Sequence, residues 1–168
     1  MTPGELQERL EALHSSSYAW ALACCGRRAE EAEEVLQTVY LKIIEGRARF
    51  GGKSSLKTWL FAVIRRTAAE HFRWRRLRER LWATPAAAEE SGETRMQRRE
   101  TAEQVVRALA RLSTRQREML TLVFYHDMTV EQAAETLGLS IGSARVHYAR
   151  GKRRMAEHLG GEVRVAFA

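Results

Sequence analysis

Apolar residues recur along this chain with a helical period. Val130, Ala133, Ala134 and Leu137 fall at i, i+3, i+4 and i+7, the spacing of one buried helical face. Gly138 stands where that helix would stop and Ser140 where the next would start, because Gly tolerates positive φ and Ser caps an N-terminus. The second helix is predicted to bury Ile141, Ala144, Tyr148, Met155 and Leu159. Gly151 shares that face, where it permits close packing of a neighbouring helix. Turned the other way are Val146, Ala149, Arg150 and Arg153, with Gly142 and Arg145 beside them. Two helices, a short turn and a basic outer face describe a helix-turn-helix. An ordinary hairpin with a solvated face has the same periodicity, so the rest of the chain must decide.

The period extends upstream. Leu6, Leu10, Leu13, Trp20 and Cys24 form one stripe, and Val35, Leu36, Val39, Tyr40 and Ile43 another. Opposite the second stripe lie Glu34, Gln37, Thr38 and Leu41. Leu41 is the apolar member of a polar face, which fits either a lone exposed leucine or a docking surface for a partner helix. The stretch from Phe50 to Ser55, FGGKSS, is predicted to be a loop, since its glycines and serines would be costly inside a helix. A helix capped by Ser54 or Ser55 follows, burying Trp59, Leu60, Val63, Ile64, Ala68 and Phe72. Its other side carries Arg66, Arg73, Arg76 and Arg80. A polar loop heading an arginine-striped helix suits a single strand: the loop encloses a base and the arginines track phosphates.

Large apolar residues then almost vanish. Between Ala83 and Glu100 only Met96 remains, which is linker composition. Periodicity resumes at Val105, Val106, Leu109 and Leu112, and Thr114 to Tyr125 reads as a further helix supporting the pair. The expected architecture is all-α: a helical domain over 1–82, a flexible linker over 83–100, a helix-turn-helix domain over 101–162 and a tail over 163–168.

Charge sharpens this picture. The formal net charge is +7, which favours a polyanionic partner without naming it. From Arg65 to Arg80 there are seven arginines against Glu70 and Glu79. The helix after Ser140 is the second basic concentration, and aromatics interleave both (Phe72 and Trp74; His147 and Tyr148). Two such faces point to nucleic acid contacted at two places.

Other chemistries find little support. Cys24 and Cys25 are adjacent, and no metal-ligand spacing accompanies them, which argues against a zinc site; Cys24 shares the stripe of Leu6, Leu10, Leu13 and Trp20, so a buried core role is expected for it. There is no visible nucleophile–base pair and no phosphate-binding glycine loop, which leaves no argument for an enzyme or a cofactor. No apolar run has the length needed to span a bilayer, and the N-terminus is unlike a secretory signal, so a cytoplasmic location is expected.

The order of these motifs resembles the extracytoplasmic-function sigma factors, the two-domain initiation subunits of bacterial RNA polymerase. The likeness runs from about Tyr18 to Leu159. AEEVLQTVY is similar to the segment that docks on the polymerase clamp, FGGKSSLKTWL to the loop and helix that read the melted −10 element, and LSTRQREML with VEQAAETLGLSIGSARVHYARGKRRM to the region that reads the −35 element. The resemblance implies polymerase contacts at Glu34, Gln37, Thr38 and Leu41. It implies single-strand contacts at Phe50, Gly51, Gly52, Lys53, Ser54, Trp59, Arg66, Arg73 and Arg76. It implies upstream-element contacts at Ser143, Arg145, Val146, Ala149, Arg150, Lys152, Arg153 and Arg154. The chain departs from the family at Thr38, where a carboxylate is usual, and at Arg66, often an asparagine. Val146 and Ala149 stand where polar or aromatic residues are common, which shifts readout towards thymine methyls or promoter shape.

The implied partners are core RNA polymerase, promoter DNA and a cognate anti-sigma factor, a membrane-bound one included; no small-molecule substrate is implied. The competing class is a free-standing helix-turn-helix regulator, which would bind a palindrome as a dimer without polymerase. It has no need of the second basic domain with its glycine–serine loop.

Overall fold

A computed structural model describes residues 2–81 and 104–159, apart from the side chains of 3 and 76–81. The expected linker, the tail over 163–168 and the side chain of Arg76 lie outside the described residues. Every regular element described is helical.

The N-terminal lobe holds α1 (Pro3–Ala12), α2 (His14–Cys24), α3 (Ala29–Ile44) and α4 (Leu56–Leu81). Thr2 and Glu5 close a capping box on α1, each side chain satisfying a backbone N–H that the helix leaves open. Glu30 and Glu31 occupy the first turn of α3 and Lys42 its last, complementing the helix dipole at both ends. Ser55 is the residue that caps α4: its hydroxyl accepts from the Thr58 N–H at 3.0 Å. Trp20, Val35, Leu36, Val39, Leu60 and Ile64 form the lobe's interior. The Trp20 indole N–H donates to the Phe61 carbonyl at 3.0 Å and ties α2 to α4.

The C-terminal lobe comprises α5 (104–110), α6 (Thr114–Leu120), a π-helical turn (Thr121–Tyr125), α7 (Val130–Leu137) and α8 (Ile141–His158). Ser113 with Gln116, and Thr129 with Gln132, form capping boxes on α6 and α7. Gly138 takes φ of 64° and ends α7, while the Leu139 N–H reaches back to the Ala134 carbonyl at 2.9 Å, a Schellman closure. Ser140 then caps α8 by accepting from the Ser143 N–H at 3.2 Å. Gly151 is buried, and a Cβ there would lie 3.2 Å from Leu120 Cγ, so α8 approaches α6 closely enough that a side chain would press on Leu120. Ala108, Leu112, Leu120, Met155 and Leu159 form a second cluster where α5, α6 and α8 meet.

The two lobes pack on each other. One contiguous core runs from Trp20 and Phe61 to Met119, Leu122, Met128 and Ala133. Phe61 is fully buried, stacked 5.8 Å from Trp20, with His126 edge-on at 4.8 Å. Lys57 Nζ donates to the His126 carbonyl at 2.5 Å, and Arg65 pairs with Glu118 at 2.9 Å. Thus α4 has three faces: one towards α2 and α3, one towards the C-terminal lobe, and one towards solvent. Ile141, expected in the core, is 40% exposed, because the first turn of α8 projects beyond the helices that cover Ala144.

Candidate nucleic-acid and polymerase interfaces

On α8, Ala144, Gly151 and Met155 face inward, and Tyr148 is half-buried. The opposite side exposes Ser143, Arg145, Val146, Ala149, Arg150, Arg153 and Arg154, with Val146 at 46%. These residues therefore share one surface, as the periodicity predicts. Their charges differ in freedom. Arg145 lies 3.4 Å from Glu131 and Arg153 lies 3.8 Å from Glu157. Lys152 is half-buried, its ammonium 5.9 Å from the Tyr148 ring centroid. Arg150 and Arg154 have no acidic partner among the described residues. The Ser143 hydroxyl accepts from Ser140 at 3.0 Å, which occupies it at the helix start.

On α4, the basic residues divide in the same way. Arg65 pairs with Glu118, and Arg75 pairs with Glu31, which also holds Arg28 at 2.8 Å. Arg66 and Arg73 are exposed and have no such partner among the described residues. Structural arginines turn inward to carboxylates; the remaining ones turn outward. At the head of this outward face lies the loop from Phe50 to Ser55. Gly52 takes φ of 69°, and a Cβ on Gly51 or Gly52 would meet no atom within 4 Å, so the backbone there is open to a ligand. Lys53 is exposed and Ser54 half-buried, while the Phe50 ring packs 5.5 Å from the half-buried Trp59. The loop forms one wall of a cavity of about 1200 Å³ whose other walls include Leu6, Leu10, Tyr40 and Ile43.

On α3, Val35, Leu36 and Val39 are buried, and Glu34, Gln37, Thr38 and Leu41 all face outward. Leu41 is 53% exposed. Ile44, three residues on, is 80% exposed and extends the same stripe. The helical period that places Leu41 also places Ile44, so this second apolar residue was available from sequence. Trp74, which the sequence marks only as an aromatic interleaved with the arginines, is likewise exposed.

Neither cysteine is poised for thiolate chemistry. Burial pushes the Cys24 thiol well up, with Glu118 adding to the effect, and burial raises Cys25 to about 11. Cys25 is the fully buried member of the pair, and both are free thiols. His126 is depressed to about 4, first by burial and then by the nearby Lys57 ammonium. Among the described residues there is no group of side chains able to hold a metal ion, and no helix long and apolar enough to cross a membrane.

Comparison with known proteins joins these surfaces. Residues 10–78 match the model of sigma-70 region 2, and residues 102–155 match that of sigma-70 region 4. The chain is 32% identical over 124 residues to the probable RNA polymerase sigma-C factor of Mycobacterium bovis, covering 72% of this chain and 66% of that one. It is 26% identical over 138 residues to the ECF RNA polymerase sigma factor SigX of Bacillus subtilis, covering 77% and 71%. The match thus spans about two-thirds of the length of these curated relatives. The sigma factor RpoE of Bartonella quintana, solved with the anti-sigma factor NepR, superposes with a TM-score of 0.66 at 24% identity, over 92% of this chain and 96% of that one. CnrH, solved with the cytosolic domain of CnrY, gives 0.64 at 20% identity, over 93% and 88%. This chain belongs to the sigma-70 family, in its extracytoplasmic-function group.

Proposed function

We propose that this chain binds core RNA polymerase, carries it to particular promoters and holds the melted strand, while the polymerase supplies the chemistry. The observation that carries this reading is the sorting of arginines. Each lobe exposes arginines that lack a carboxylate partner among the described residues, Arg66 and Arg73 on α4 and Arg150 and Arg154 on α8, the latter beside the paired Arg145 and Arg153. Unneutralised guanidinium groups at two places on one chain suit two phosphate tracks. In this assignment residues 1–82 read the melted element and dock on polymerase, and residues 101–162 read the upstream element. Gly51 and Gly52 leave backbone open beside the cavity, giving an extruded base room to enter. On α8, Arg150 takes a base edge, Val146 and Ala149 meet thymine methyls, and Arg154 meets phosphate. The setting is the cytoplasm, with an anti-sigma factor as the controlling partner.

The polymerase contact is assigned to Glu34, Gln37, Thr38 and Leu41, with Ile44 at the end of the stripe. Two exposed apolar side chains ringed by polar neighbours have the composition of a contact centre and rim. Leu41→Glu tests the assignment, because it adds a charge where an apolar contact would close. The variant is expected to lose capture by core polymerase in a pull-down while its melting temperature stays within about 1 °C of the parent, since exposed positions contribute little to folding. Normal capture would mean that polymerase docks elsewhere.

A further inference from the structure

Lys42 belongs to α3, yet its ammonium is held by α4. Nζ donates to the hydroxyl of the buried Thr67 at 3.1 Å and to a Glu70 carboxylate oxygen at 2.7 Å. The lysine side chain is 20% exposed and the glutamate 39%, so the pair lies at the seam of the two helices with its acid towards solvent. Glu70 is the one acid on α4 between Leu56 and Arg75. It stands four residues after Arg66 and three before Arg73, the two outward arginines assigned to the strand.

Residues three and four apart are neighbours on a helix surface, and opposite charges so placed attract. Glu70 lies about 40° round the helix from Arg66, about 60° from Arg73, and between them along the axis. Both guanidinium groups are therefore within pairing range of its carboxylate. Neither takes it: both arginines are exposed and lack an acidic partner among the described residues. The carboxylate is drawn to Lys42 instead, and Thr67 fixes the ammonium from the same side of α4.

An acid in the middle of a phosphate track acts against binding in two ways. It repels phosphate, and it competes for the guanidinium groups that phosphate needs. An ammonium in contact with the carboxylate weakens both effects. We propose that Lys42 is a positioning residue for strand binding: by holding Glu70 on the α3 side, it leaves Arg66 and Arg73 to the phosphates. Lys42 itself touches no DNA in this arrangement. The inference rests on the reading of α4 as the strand-binding helix.

The test uses the full chain in holoenzyme with core polymerase. The probe is a dye-labelled DNA single strand carrying the melted element of a promoter that the holoenzyme selects from a random library, titrated at several salt concentrations. Lys42→Met is expected to reduce the slope of log affinity against log salt by about 0.7, one phosphate contact, which is about fivefold in affinity at about 0.1 M salt. Glu70→Gln should bind at least as tightly as the parent, and Lys42→Met/Glu70→Gln should recover the parent's slope and affinity. Opposite signs for the two partners are the signature, since a pair that only braced the helices would weaken binding from either side. If Lys42→Met melts early, Lys42→Gln takes its place in the same comparison.

Unchanged strand binding by the lysine variant would overturn the proposal, as would weaker binding by Glu70→Gln. A double variant as weak as Lys42→Met would also overturn it, by making Lys42 itself the phosphate contact. The paired variant Arg66→Ala/Arg73→Ala tests the underlying reading. If it leaves the salt slope unaltered, α4 is not the strand-binding helix, and the function assigned to it falls together with this proposal. If it flattens the slope while the Lys42 and Glu70 variants fail the sign test, the positioning role alone is overturned.

Discussion

Arg65 and Arg66 are neighbours in sequence and belong to different parts of the molecule. Arg65 bonds both oxygens of Glu118 across the lobe boundary, at 2.9 and 3.4 Å, and its side chain is 24% exposed. Arg66, about 100° further round the helix, faces solvent with no acidic partner among the described residues. The contrast shows that basic residue density does not identify a nucleic-acid surface. On α4 a carboxylate separates the two: Arg65, supplied with one, ties the lobes together, and Arg66, supplied with none among the described residues, stays in solvent. One helix thus joins the lobes along one face and presents charge along another.

The largest effect should come from the joining face. Phe61 is fully buried against Trp20 and His126. Phe61→Ala is expected to destabilise the protein by about 3–5 kcal/mol, as buried aromatic truncations do. Chemical denaturation would show this, and a near-neutral result would mean that the lobes do not depend on this contact. Acid should loosen the same junction. His126 sits at about 4 rather than 6.5, because burial and then Lys57 disfavour the imidazolium, with Asp127 opposing. The unfolded chain takes up a proton at higher pH than the folded one does. This contribution to stability is therefore full above about 6.5 and is lost as pH falls towards 4. Melting temperature followed across that window should drop, and His126→Gln should flatten the drop.

Much of this arrangement is legible in the sequence, and the reasons are local. Gly138 and Ser140 announce the turn between α7 and α8 because backbone conformation and capping are properties of single residues. Gly151 signals close packing, and the apolar gap after Ala83 separates the two lobes' periodic patterns. The outward stripes of α3 and α8 follow from helical period alone. The joining face of α4 does not. Lys57, Thr58, Phe61 and Arg65 read as a mostly polar strip, and only a second lobe supplies the His126 carbonyl, Glu118 and the apolar surface that bury them. Periodicity assigns a helix one inner face and cannot see a second covered from a distance in sequence. The same blindness explains Cys25, which is fully buried although Cys24 lies on the predicted stripe.

A smaller effect sharpens the comparison between the two arginines. Arg65→Ala leaves Glu118 largely buried without its principal partner, although Arg115 remains 3.4 Å away, and should cost about 1–3 kcal/mol. Arg66→Ala should change stability by no more than about 0.5 kcal/mol. In DNA binding the order reverses: Arg66→Ala should reduce the slope of log affinity against log salt by about 0.7 for a single strand, and Arg65→Ala should leave it unaltered. Equal salt slopes in the two variants would erase the distinction between structural and available arginines.

The most direct measurement is run-off transcription with purified core polymerase on a randomised promoter library, comparing core alone, this chain alone and the two together. The account predicts transcripts from a defined set of sequences only when both are present. Arg150→Ala is expected to relax the preference in the upstream element by about 1–3 kcal/mol per contacted base pair, leaving the melted element's preference unchanged. Tight, sequence-specific binding by the chain alone, with no transcript when polymerase is added, would contradict the account and return the protein to the class of free-standing regulators.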